Sequence, residues 1–216
     1  MRPRREKTIN DHDVQTSHNT EDAPAALTRL RQAARERDWH VLQDTLAALL
    51  GEVEYFVGLE IALNRAHAHL PIFEQHHPDA GWARALLVWL ASYGVPPADL
   101  PMDAGLPHSS PGAGNFVTAL IELARSAERK TPAENRLRFL ANAIGNLIIA
   151  DLAAIWYGQN EEIWEFQQTH GDDHDEESGQ PIRQLIYATF WMDDEVAARD
   201  TAAWLDVAEK IEKKLR

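Results

Sequence analysis

The 216-residue chain contains no cysteine. That absence excludes disulfide staples, thiolate metal sites, iron–sulfur clusters and cysteine nucleophiles together. Positive charge is also scarce, with 21 Lys and Arg against 34 Asp and Glu, a formal net charge of −13. A surface of that sign repels phosphate backbones, so general nucleic-acid binding is not expected without a local basic patch. Long apolar runs are missing too. The most apolar segment, Ala143 to Trp156, contains Asn146 and Asp151 and falls short of the ~20 residues of a membrane span. The basic start, Met1 to Lys7, leads into polar residues rather than an apolar stretch, which argues against a secretory signal. A cytoplasmic protein with no membrane role is the expectation. No Gly-x-Ser-x-Gly elbow occurs, and Gly112-Ala-Gly114, with no lysine after it and no strand before it, reads as a turn.

What the chain does have is helical period. Residues 1–23 read as a mobile tail, too polar to offset the entropy of ordering, and residues 24–216 as one all-helical domain. Asp22 and Pro24 mark the first helix start, and Leu27, Leu30 and Ala34 repeat as one buried face. A second helix is expected from Trp39 to His69, kinked or ended by Pro71, and a third through Trp82, Leu86 and Trp89 to Gly94. Five prolines then fall between Val95 and Gly114, a long loop near the middle that could join halves 24–94 and 115–216. The second half opens with Asn115 as a candidate cap. Thr131-Pro132-Ala133-Glu134 has the form of a capping box, opening a helix to about Tyr157 that is apolar on most sides and so belongs at the centre. Short helices around Trp164 and after Pro181 follow. The last helix begins at Asp193-Asp194-Glu195 and ends among Lys210, Lys213, Lys214 and Arg216, complementing its dipole. The fold class predicted is all-α, a compact bundle of seven or eight helices.

Four constellations carry possible chemistry. Glu60, Asn64 and His67 share one face of the second helix, while Arg138, Asn142 and Asn146, with Asp151 near the same side, share one face of the central helix. If the two files face each other, they form either a ligand or metal pocket inside the bundle or an interhelical network. Glu74 and His77 have the Glu-x-x-His spacing of di-iron bundles, but no second copy exists, so di-iron chemistry is disfavoured. His170 and His174 stand in an acidic loop, another weak metal candidate, better read as a solvated turn. No cofactor is therefore expected. Arg35 to His40 and Arg65 to His69 resemble the loose Arg–His pairs of helical ribonucleases, a spacing too common by chance to carry an assignment. Ser109 and Ser110 stand beside His108 with no recognisable orienting partner.

Aromatics are the last feature. Trp156, Tyr157, Trp164, Phe166 and Trp191 cluster in the second half, dense enough for an association patch as well as for core. With no complete catalytic set, the expected function is non-enzymatic. The protein would act through protein–protein association, as a homodimer or a subunit of a larger complex. The alternative is a metal-dependent hydrolase or a small-ligand-binding bundle using the polar files.

Overall fold

The computed structural model describes residues 22–92 and 110–216, and every regular element among them is helical. In chain order these are α1 Ala23–Glu36, α2 Trp39–Glu52, α3 Tyr55–His76, α4 Gly81–Ser92, α5 Ala113–Ala127, α6 Ala133–Gln159, α7 Glu161–His170, α8 Ile182–Met192 and α9 Asp194–Leu215. The all-α class holds. The number of helices among the described residues is nine rather than seven or eight. Residues 1–21 of the expected tail and 95–109 of the expected loop lie outside the described residues, while Ala23 already belongs to α1 and Ala113 and Gly114 to α5.

The additional helix comes from a break in the segment expected to run unbroken from Trp39 to His69. Val53 and Glu54 are extended, with φ/ψ of −115°/167° and −63°/138°. The apolar spacing passes through this corner without interruption, so periodicity does not reveal it. Gly58 explains it instead. A methyl group placed on Gly58 would come 2.6 Å from Leu50 and 2.7 Å from Leu140. In one continuous helix, residues 50 and 58 would stand about 12 Å apart along the axis. The chain turns at Val53 so that α3 can lie directly against α2 and α6. Pro71 neither ends α3 nor breaks it, because Pro71 and His67, whose carbonyl loses its partner, are both on the exposed face where water can reach.

Two caps also differ from expectation. Thr131 does not cap α6; its hydroxyl donates to the Arg125 carbonyl (3.0 Å), and Arg136 Nε donates to its own carbonyl (2.9 Å), closing the α5–α6 turn. Asn115 lies within α5, whose N-cap is Gly112 in the left-handed region at φ 76°. By contrast, Asp22 accepts from Ala25 N–H (2.9 Å) as expected, and Asp193 accepts from Glu195 and Val196 N–H at the start of α9.

The centre of the bundle is α6, which packs against α2, α3, α5, α7 and α9, so the two sequence halves share one core. It is long and apolar enough to cross a membrane, with a window of mean hydropathy 1.6, yet 61% of that window is buried within the bundle. Central packing asks for the same composition. Helices α1 and α9 close the structure through Arg31–Glu212 (2.6 Å) and Thr201 Oγ to the Ala34 carbonyl (3.2 Å). At the other end α7 and α8 are thinly packed, each contributing one buried residue, Gln167 and Phe190.

Candidate functional site

The two polar files do not form one buried network. Glu60, Asn64 and His67 are all exposed and line a shallow groove between α3 and α4 with Phe56, Leu63 and Leu90. Glu60 pairs with Lys214 of α9 at 3.6 Å. On α6, Arg138 is exposed, and Asn146 accepts from Asn115 Nδ2 of α5 (3.1 Å) while donating to the Asn142 carbonyl (3.0 Å). Asp151 reaches polar groups of α3, and its partners there are His69 and Arg65. His69 is 1% exposed, with Nδ1 at 2.9 Å from Asp151 Oδ1 and its ring 4.8 Å from that of Phe116. Arg65 donates to the Ala203 carbonyl (3.0 Å) and Asp206 (3.1 Å) and lies 3.9 Å from Asp151. The carboxylate and guanidinium tie α3, α6 and α9 together, which makes this a structural junction.

The metal candidates are also held by other partners. Glu74 accepts two bonds from Arg84, whose guanidinium holds the carboxyl below its ordinary value. His170 stacks on Phe166 at 4.7 Å, and His174 is exposed. The acidic loop between α7 and α8 is shaped by its own turn, in which Asp175 accepts from the Ser178 N–H and hydroxyl, both at 2.7 Å. Among the described residues no group of three or more His, Asp or Glu could hold a metal ion.

The α3–α4 groove has a volume of about 440 Å³ but opens widely to solvent, and a more enclosed site lies elsewhere. Because α7 and α8 pack only lightly, they stand away from α5 and α6 and leave a cleft of about 440 Å³. Its apolar wall is Tyr157, Trp164, Tyr187 and Phe190; its polar groups include Asn115, Gln167, Gln184 and Arg183. The Tyr157 hydroxyl donates to Gln167 Oε1, and burial pushes its pKa up to about 12, so it remains a protonated donor. Trp164 meets the Tyr157 ring edge-on at 4.9 Å. Arg183 is anchored at the rim by Asp172 (3.1 Å) and by its own N–H to the Gly171 carbonyl (3.0 Å).

Gly112, Gly114 and Ser110 form the floor where α5 begins. A side chain at Gly112 would strike the Ala150 carbonyl at 2.4 Å, so glycine is needed both for the positive φ and for close approach to α6. Ser110 is 3% exposed, and its Oγ lies 3.1 Å from Nε2 of His77 at the end of α3. Thirty-three residues separate the two. No local spacing could pair them; the only signal was a serine followed by a glycine-rich helix start.

The aromatic residues read as an association patch separate into interior and rim. Trp156 and Tyr157 are buried, Trp156 donating to Asp193 (3.2 Å). Trp191 is half-buried against Trp39 at 5.6 Å, with the Arg37 guanidinium over its ring. Trp164 lines the cleft, and Phe166 is exposed on the outer side of α7. Compared with known protein families, with curated proteins and with solved structures, the chain shows no match.

Proposed function

We propose that this protein is a small-ligand-binding helical bundle whose site is the cleft between α5, α6, α7 and α8. The observation that carries the reading is the cavity itself. Its volume of about 440 Å³ falls within the ~300–1,000 Å³ of small-molecule sites. It also combines an aromatic wall with convergent amide and guanidinium groups from three helices, the usual division between affinity and orientation. The ligand class it suits is a small, largely apolar or aromatic molecule. Anilinonaphthalene sulfonate is a suitable probe, its rings matching the wall and its sulfonate matching Arg183. Binding should be saturable at one site, with emission excited through Trp164. Trp164→Ala and Tyr187→Ala should each weaken it about tenfold or more, the scale of one lost aromatic contact. Unsaturable binding, or binding indifferent to both substitutions, would sink the reading.

A second reading, self-association through the outer face of α7 and α8, has an observation of its own. Phe166 is 48% exposed there. A shallow apolar depression formed by Ile163, Phe166 and Ile186 lies between the two helices. An exposed aromatic beside an apolar depression supports an interface with a second copy. The burial of Trp156 and Tyr157 leaves this face smaller than aromatic content alone suggested, which is why ligand binding stands first.

A further inference from the structure

We propose that Ser110 and His77 form a nucleophile–base pair that cleaves a small neutral ester held in the α5–α8 cleft. The proposal rests on the cleft being a ligand site and adds an activity to it. A serine hydroxyl is a weak nucleophile until an adjacent base accepts its proton, and the two groups must lie within hydrogen-bond reach. Ser110 Oγ and His77 Nε2 are 3.1 Å apart. The imidazole is held in place rather than free to rotate. Its ring stacks on Phe73 at 4.6 Å and 29°, and its backbone N–H donates to the Phe73 carbonyl at 2.9 Å. Burial and the neighbouring His76 hold the His77 pKa below its ordinary value, which favours the unprotonated ring a base requires at neutral pH.

The other half of the arrangement is the start of α5. Gly114 and Asn115 lie in its first turn, where N–H groups have no carbonyl partner within the helix, and both line the cleft beside Ser110. The left-handed Gly112 and its contact with Ala150 fix where that turn sits. Amides so placed are suited to the negative charge that develops on a carbonyl oxygen under attack. The reaction balances with water alone. Ser110 Oγ bonds to the ester carbonyl carbon as its proton passes to His77 Nε2. The carbon–alkoxy bond breaks, and the leaving alkoxide takes that proton as an alcohol. Water then attacks the acyl-serine, giving up a proton to His77, and the carboxylic acid leaves as Ser110 regains its hydrogen. The aromatic wall selects an apolar or aromatic acyl group.

A fluorophosphonate probe tests the pair on the full chain, with p-nitrophenyl butyrate as substrate. Intact-mass spectrometry should show one phosphonyl adduct, and peptide mapping should place it on Ser110. Ser110→Ala should abolish the adduct. His77→Gln, which can still hydrogen-bond to Ser110 but cannot take its proton, should slow labelling and butyrate hydrolysis by about 100-fold or more while leaving thermal unfolding near wild type. An unlabelled wild-type protein that still binds anilinonaphthalene sulfonate in the cleft would overturn the activity and leave the ligand site standing. Labelling unaffected by His77→Gln, or mapped to another residue, would overturn it equally. Loss of both dye binding and labelling would remove the site and the activity together.

Discussion

Asp200 is the residue under most electrostatic tension. Its side chain is fully buried, yet both oxygens lack a hydrogen-bond partner among the described residues, and Arg37 Nε is 3.6 Å away. Arg37 itself sits at a left-handed φ of 55°, a conformation costing a non-glycine residue ~1–2 kcal/mol. Burial pushes the Asp200 carboxyl up to about 6, with the Arg37 charge only partly offsetting it. A folded-state pKa above the unfolded value means that the folded protein binds the proton more tightly. Stability from this group is therefore full below about pH 4 and is lost as pH rises through about 6. The shift corresponds to roughly 3 kcal/mol. Asp200→Asn should remove that dependence. Urea unfolding of the two proteins should diverge between pH 4 and pH 8, with the Asn variant gaining relative to wild type as pH rises. Parallel curves would show that the carboxyl is solvated after all.

At the scale of elements, the α2–α3 corner yields a prediction whose sign is informative. Gly58→Ala in an exposed helix would stabilise by ~1 kcal/mol through helix propensity. Here the added methyl meets Leu50 and Leu140 at well below van der Waals separation, so the variant should be less stable by ~1–3 kcal/mol. A stabilised variant, measured by thermal or urea unfolding, would mean that α3 does not lie that close to its neighbours. The same corner shows how far the sequence could be read. Helices α1, α8 and α9 were legible because a cap or proline stands next to a clear apolar stripe, as at Asp22, Pro181 and Asp193. The break at Val53 was not, because Leu50, Val53 and Val57 continue the period across it; only tertiary contact distinguishes a turn from one more helical residue. Thr131 had the right neighbours for a capping box but spends its hydroxyl on the previous helix.

Across the whole molecule, charge sets the conditions under which two copies could meet. Each chain carries −13, so contact through the α7–α8 face works against mutual repulsion that salt screens within about 10 Å at 0.1 M. If that face is an interface, the dimer fraction seen by light scattering should rise between 50 and 500 mM salt and fall on Phe166→Ser. A monomer at every salt concentration would leave the face unpartnered. The candidate site was less legible than the fold for a related reason. Spacing along one helix identifies which residues share a face, so Arg65 and His69 could be seen as a pair. It does not fix how that face is rotated, and it is His69 rather than His67 that turns inward to Asp151. Ser110 and His77 come together only after α3 and α5 have docked. The α1–α9 closure has a further consequence, one that concerns time. Arg31 and Ala34 find Glu212 and Thr201 only when the chain has grown past residue 212, some 180 residues after they themselves emerge. At the ~5–20 residues per second of synthesis, α1 waits on the order of ten seconds or more with α2 but without its last partner. The nascent chain is therefore exposed to chaperones and proteases at its first helix until its final one is made.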